Sequence, residues 1–273
     1  MNNKMTVAVI VTTFQRNDRL GACVTALLSQ SLLPNKIYVV HDGPSDACRD
    51  FLTEAFEAPM RQGVLIFCET PQWSGRPAPA RNYGFAISQE DLIAFCDDDD
   101  IWMRDKLESQ VSVLSDNPKA DGVFSGYIPF YEGEEVGLLS QFRDGASAPF
   151  RRVELLEYLD GKGLCMSSSL LRSSSLNNLR FNESKFVKAF EDYIFWLDLI
   201  LSKKELLVTD EPALFYLTNN SQSIRKGKIQ HNLRLMTAVF LTLIRYERYA
   251  TAVLSPLLRS LYVLKKFLRV RTS

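Results

Sequence analysis

Residues 92–102 read LIAFCDDDDIW, an apolar run that breaks into four consecutive aspartates, Asp97 to Asp100. A short apolar run bounded by polar sequence suits a strand buried on both faces. Adjacent carboxylates repel one another, and the penalty grows as water is withdrawn. Placing them directly after a buried strand makes sense if a divalent cation compensates the charge. Carboxylate oxygens suit magnesium or manganese, ions that keep positions open for substrate phosphates. The competing reading is a solvated acidic loop that caps a helix beginning near Arg104.

Upstream, short apolar runs alternate with helical patterns. Residues 6–12 (TVAVIVT), 36–40 (KIYVV) and 64–68 (VLIFC) read as strands, rich in β-branched and aromatic side chains. Residues 19–30 carry Leu20, Val24, Leu27 and Leu28 at the spacing of one helix face. Further helices are expected over 46–56, over 77–88 with proline in the first turn, and over 104–114. A fifth strand is expected over 122–127. Strand–helix alternation implies parallel pairing through right-handed crossovers, hence an open α/β sheet flanked by helices. Such sheets bind ligands beyond the carboxyl ends of their strands, which directs attention to the residues after Thr12, Val40, Cys68 and Cys96.

The chain has 273 residues, with 32 Lys plus Arg against 32 Asp plus Glu. That balance argues against a nucleic-acid binder, which needs a basic surplus to release counterions. A hydrophobic fraction of 46% is enough for a core and excludes disorder as a description of the whole. The five cysteines include no CxxC pair and point to a reducing compartment. The N-terminus reads as a first strand and not as a signal peptide. No stretch reaches the ~18 uninterrupted apolar residues of a membrane span, so the expected location is cytoplasmic, in solution or peripheral at the inner membrane face.

The second half is less regular. Residues 140–153 read as a loop, 186–203 as a helix with an apolar face, and 206–208 and 213–217 as short strands flanking Glu211-Pro212. From His231 onward the pattern is helical, and no acidic residue follows Glu247, whereas Arg259, Lys265, Lys266, Arg269 and Arg271 do. This basic extension suits either an anionic bilayer surface or packing on the rest of the chain. The expected organisation is a catalytic unit over 1–230, divided near residue 127, and a helical extension over 231–273.

Three further signals complete the pattern. Glu191-Asp192 leads an aromatic helix in FEDYIFWLDLI, where the helix dipole alone could favour the acids. Asp42 follows KIYVV in HDGPSD, a turn sequence in its own right. Arg81 lies at a helix start in PAPARNYGF. VIVTTFQR, VVHDGPSD, ARNYGF, CDDDDIW and FEDYIFW, in this order along the chain, resemble the family 2 glycosyltransferases of GT-A fold, an inverting, nucleotide-sugar-dependent type. The resemblance covers residues 6–196 and continues more loosely through FYLTNNSQSI.

The resemblance implies roles position by position. Thr12 and Phe14 border the nucleotide base, and Asp42 hydrogen-bonds it. Arg81 belongs to the nucleotide and phosphate side. Asp97, Asp98 and Asp99 cover the DxD region, with Asp98 near the ribose and Asp99, with Asp97 in an alternative register, as the ligand of Mn2+ or Mg2+. Asp192 matches the general base, with Glu191 beside it. His41 stands where many members carry an aspartate, and Pro44 where serine is usual. The implied partners are a nucleoside diphosphate sugar and a glycan or lipid-linked acceptor, as in surface polysaccharide or glycolipid assembly. The segment 164–171 is expected to help shape the acceptor site, its serines hydrogen-bonding sugar hydroxyls, with a plain solvated loop as the competing reading; Trp73 and Trp102 are candidates for sugar stacking, with Trp196 in the core. Alternatives are an inactive binding subunit built on the same fold and a sugar-phosphate nucleotidyltransferase; the latter lacks the expected glycine-rich loop, since no glycine precedes Gly21.

Overall fold

The computed structural model describes residues 5–131, 149–161, 163–176, 179–218, 228–248 and 251. Its first half runs β1 (Val7–Thr13), α1 (Asn17–Leu28), β2 (Lys36–His41), α2 (Asp46–Ala55), α3 (Glu57–Arg61), β3 (Leu65–Glu69), α4 (Pro77–Ile87) and β4 (Leu92–Asp97). β1 pairs in parallel with both β2 and β4, and β2 with β3, as the alternation predicts. Every residue of β1 is buried. Ala8 and Ile10 face one apolar cluster, while Val7, Val9 and Val11 face the other, so the sheet is covered on both sides.

The second half adds β5 (Ile101–Trp102), α5 (Lys106–Asp116), β6 (Gly122–Phe130), β7 (Arg151–Arg152), α6 (Leu155–Leu159), β8 (Leu170–Arg172), α7 (Ser173–Leu176), α8 (Glu191–Leu201), β9 (Leu206–Leu217) and α9 (Lys228–Arg245). The sheet order is β3-β2-β1-β4-β8-β6-β9-β5, with β7 paired to β9. The architecture is therefore the expected α/β sheet, mainly parallel, with helices on both faces. β8 is antiparallel to both of its neighbours, β4 and β6.

Several elements differ from their sequence reading. The two short strands around Glu211-Pro212 form the single strand β9. Pro212 pairs opposite Gly126, with register shifts on either side, so its missing N–H falls at an irregularity of the ladder. The helix expected from Phe186 begins only at Glu191. A 3-10 turn, Lys185–Val187, and Ala189 at φ 71 precede it, and a left-handed residue cannot continue a helix. The acidic run does not cap α5, because β5 and residues 103–105 intervene. Of the loop expected over 140–153, residues 140–148 lie outside the described residues and Arg151–Arg152 form β7.

α9 packs on the body of the protein. Leu235, Ala238, Val239 and Leu243 are buried, Arg245 pairs with Asp198 of α8, and Arg234 donates to the Phe186 carbonyl. The basic residues from Arg259 onward lie outside the described residues. Among the described residues, no helix is long and apolar enough to cross a membrane.

Candidate functional site

The register of three parallel strands assembles the site. Thr12 sits beside Val40 and Asp97, and Thr13 beside His41. The chain leaves β1, β2 and β4 at one edge of the sheet, and the Asp42 N–H donates to the Thr13 carbonyl at 3.1 Å. A cavity of about 570 Å³ lies over this edge. Its lining includes Thr12, Phe14, Asp42, Arg81, Asp97, Asp98, Asp99, Glu191 and Asp192, all nine residues nominated from sequence.

Asp42 anchors one end. Its Oδ1 accepts from the Ser74 N–H at 3.0 Å and its Oδ2 from the Gly75 N–H at 2.7 Å. The loop thus held carries Trp73, whose ring lies 6.0 Å from that of Phe14, and Phe14 is 5.6 Å from His41. Trp73 is 64% exposed at the cavity wall, whereas Trp102 and Trp196 are buried, so Trp102 is excluded as a sugar platform. Gly43 is required here: its φ is +91°, and a Cβ would stand 2.9 Å from the Trp73 backbone nitrogen. Each carboxylate oxygen of Asp42 retains a second lone pair for an N–H donor.

The four aspartates divide their work. Asp97 Oδ1 accepts from Arg81 at 2.7 Å, and the Asp97 N–H donates to Ser167 Oγ at 2.9 Å. Asp98 Oδ2 accepts from Thr13 Oγ1 at 2.7 Å. Arg16 spans Asp98 at 3.3 Å and Asp99 at 2.9 Å. Asp100 points away from the cavity lining: it is 1% exposed, and its Oδ1 accepts from the Leu217 N–H at 3.2 Å, tying the turn to β9. Burial pushes the Asp98 carboxyl up to about 6, with the neighbouring charges of Asp99 and Asp97 adding to the rise. Burial, then the charge of Asp97, raises Asp99 as well, and both act more strongly on Asp100.

Across the cavity, α8 begins with Glu191 and Asp192 in its first turn. Glu191 Oε1 accepts from Arg81 at 3.3 Å, while Glu191 Oε2 is buried with no partner among the described residues. Arg81 is only 4% exposed and is shared between the two acidic segments. Burial works against its charge, but Asp97 and Glu191 more than compensate and raise its pKa. Burial pushes Asp192 up to about 6, against the opposing pull of Arg81. Asp192 is thus a carboxylate near the middle of its titration at mildly acidic pH.

The serines of 164–171 do not reach toward a ligand. Ser167, Ser168 and Ser169 are each 0% exposed. Ser167 receives the Asp97 N–H, Ser168 Oγ donates to the Cys165 carbonyl and Ser169 Oγ to the Met166 carbonyl. The expectation that they contact acceptor sugars is overturned; Ser167 braces the end of β4, and Ser168 and Ser169 close their own turn. Sequence reasoning also missed Arg16, Lys188 and Tyr216, which line the cavity. Arg16 stood inside the quoted VIVTTFQR, so a cation three residues beyond the end of β1 was the available signal. Nothing in the pattern of β9 marked Tyr216.

The fit of a divalent ion rests on the donors present. Among the described residues, no three His, Cys, Asp or Glu side chains converge on one point as a metal cluster. Magnesium-like sites commonly use one or two carboxylates and take their other ligands from water and substrate phosphates. Asp97 and Asp99, two hard-oxygen donors on one cavity wall whose mutual charge raises Asp99, match that pattern.

The Glycosyl transferase family 2 sequence model matches residues 8–180, a span that holds β1 to β4 and the acidic cluster. The chain belongs to glycosyltransferase family 2. An uncharacterized glycosyltransferase of Haemophilus influenzae is 25% identical over 230 residues, covering 84% of this chain and 85% of that protein. The UDP-Glc:alpha-D-GlcNAc-diphosphoundecaprenol beta-1,3-glucosyltransferase WfaP of Escherichia coli is 24% identical over 197 residues, 72% of this chain and 70% of WfaP. Among solved structures, the mannosyltransferase PcManGT of Pyrobaculum calidifontis, in complex with GDP-Man and Mn2+, superposes with a TM-score of 0.66 at 15% identity. That superposition covers 96% of this glycosyltransferase and 74% of PcManGT, and it establishes the shared GT-A fold.

Proposed function

We propose that this glycosyltransferase moves a sugar, with inversion, from a nucleoside diphosphate sugar to a hydroxyl of a glycan or lipid-linked acceptor. The supporting observation is the Arg81 bridge: one guanidinium binds Asp97 after β4 and Glu191 at the start of α8, so Asp192 and the acidic cluster face a single cavity. The base lies beside Thr12 and Phe14 with Asp42 accepting from its N–H, and the ribose lies toward Asp98. Asp97 and Asp99 would hold Mn2+ or Mg2+, which would supply positive charge against the diphosphate leaving group. Asp192 takes the proton of the acceptor hydroxyl as its oxygen attacks the anomeric carbon. Glu191, fixed by Arg81, orients the first turn of α8. Positioning supplies much of the rate, and a carboxyl near pKa 6 is a better base than one at ~4.

The activity for which WfaP is named, glucosyl transfer to a diphosphoundecaprenol-linked sugar, favours a lipid-linked acceptor and surface polysaccharide assembly for this chain too. In this reading residues 1–127 form the donor half and 128–230 the acceptor half. With α9 packed on the body of the protein, only the basic residues from Arg259 onward are left to meet the inner face of a membrane. The test is incubation with UDP-Glc, UDP-GlcNAc, GDP-Man and dTDP-Rha, each with Mn2+ and with EDTA, followed by NMR of the product's anomeric configuration. Inverted product with the metal alone is expected. Retained configuration, or equal turnover in EDTA, overturns the mechanism.

A further inference from the structure

A second cavity, of about 360 Å³, opens between β6, β9 and α6, away from the nine nominated residues. Its lining includes Ser125, Tyr127, Arg151, Glu157 and Thr209. Two tyrosines join it to the first cavity. Tyr216 lines the first, Tyr127 lines the second, and their ring centroids are 5.1 Å apart at 47°. Both are exposed, at 39% and 49%.

We infer that the tyrosine pair and the second cavity form a subsite for an uncharged sugar ring of the acceptor, one residue removed from the reacting hydroxyl. The inference rests on the reading of the first cavity as the transfer site. An acceptor whose hydroxyl meets Asp192 must leave the first cavity past its lining, and Tyr216 belongs to that lining. Aromatic faces receive the C–H face of a pyranose, while the polar edge of the sugar needs fixed donors and acceptors around it. The second cavity supplies them. Arg151 and Glu157 stand 2.9 Å apart, each about two-fifths exposed, and the Ser125 hydroxyl is buried with no partner among the described residues. A buried hydroxyl left without a partner costs free energy unless a ligand or water completes it.

Charge selects a neutral sugar over a phosphate. Arg151 is already opposed by Glu157 at 2.9 Å and Asp210 at 3.7 Å, so the cavity presents no surplus of positive charge to an anion. A diphosphate of a lipid-linked acceptor would therefore lie elsewhere.

The experiment is saturation-transfer NMR on the full chain with UDP and Mn2+ present, using p-nitrophenyl β-glycosides of glucose, N-acetylglucosamine, galactose and N-acetylgalactosamine. At least one glycoside is expected to bind. Tyr127→Ala is expected to weaken it at least five-fold, and Tyr127→Phe less than two-fold, because the ring is kept. Ser125→Ala is expected to weaken binding while leaving the thermal midpoint of the free protein unchanged or higher, an outcome that a purely structural serine does not give. Nucleotide signals from the same samples report the transfer-site reading separately. If UDP binds and no glycoside does, or if a glycoside binds wild type and Tyr127→Ala alike, the subsite is wrong. If UDP, and GDP and dTDP in its place, all fail to bind, the transfer-site reading itself has failed and this inference falls with it.

Discussion

Arg81 of α4 and Asp97 at the end of the next strand, β4, meet at 2.7 Å in the cavity wall, where the guanidinium is almost wholly enclosed. The same cation satisfies Glu191, so its removal strands two carboxylates at once. Arg81→Met is expected to destabilise the fold by ~3 kcal/mol at neutral pH, the scale for breaking a buried pair. Arg81→Lys should lose less. Urea unfolding followed by circular dichroism checks both.

As the proposed base, Asp192 would set the pH dependence of transfer. With its pKa near 6, the base is largely protonated at pH 5 and ionised at pH 8. Turnover should therefore rise about ten-fold from pH 5 to a plateau above pH 7. Asp192→Asn should abolish transfer while nucleotide affinity, read by calorimetry, changes little. A flat profile or an active variant would remove Asp192 from the mechanism.

Asp98 gives the opposite sign for stability. Its folded pKa, about 6, lies above the ordinary value of 3.8, so the folded state holds the proton more tightly than the unfolded chain. This contribution is complete below pH ~4 and is lost as pH rises through 6. Asp98→Asn should accordingly raise the melting temperature at pH 7.5, where the ionised carboxyl is costly, and have little effect at pH 4. Wild-type protein should gain more from Mn2+ at pH 7.5 than at pH 5.

Arg16 would compete with a divalent ion proposed at Asp97 and Asp99. Its side chain is half exposed and neutralises Asp98 and Asp99 from solvent, a pairing worth ~1 kcal/mol or less. Arg16→Ala should leave folding almost unchanged and strengthen Mn2+ binding several-fold when no nucleotide is present. Paramagnetic relaxation of water protons measures that affinity directly.

Gly84 controls the placement of Arg81. A Cβ there would come within 2.6 Å of Ile10 Cγ2 on β1, so α4 lies against the sheet only because this position has no side chain. Gly84→Ala should cost ~1–3 kcal/mol by overpacking, and donor affinity should fall as Arg81 is lifted from Asp97. Comparing the unfolding midpoint with the nucleotide Kd separates the two effects.

Much of this arrangement was legible because it is written in runs. TVAVIVT, KIYVV and LIAFC are buried on both faces, so their apolar density marks them, and parallel register then carries Thr12, Asp42 and Asp97 to one edge. β5 and β8, at two and three residues, are too short to impose a period on the sequence. They form because neighbouring strands offer unpaired edges. The serine run 167–169 looked like a solvent loop because side-chain polarity cannot reveal that backbone groups will consume it. Arg16 and Tyr216 act through distance in space, from residues that sequence spacing does not connect.

The insertion of β8 between β4 and β6 has a consequence for engineering. Leu171 pairs with Ile93 on one side and with Gly122 on the other, so a late piece of the chain closes the seam of the early sheet. A chimaera that exchanges only the first 127 residues for those of a homologue with another donor would leave this seam mismatched. Transplanting specificity would have to carry residues 164–172 along with the leading block, as a discontinuous cassette.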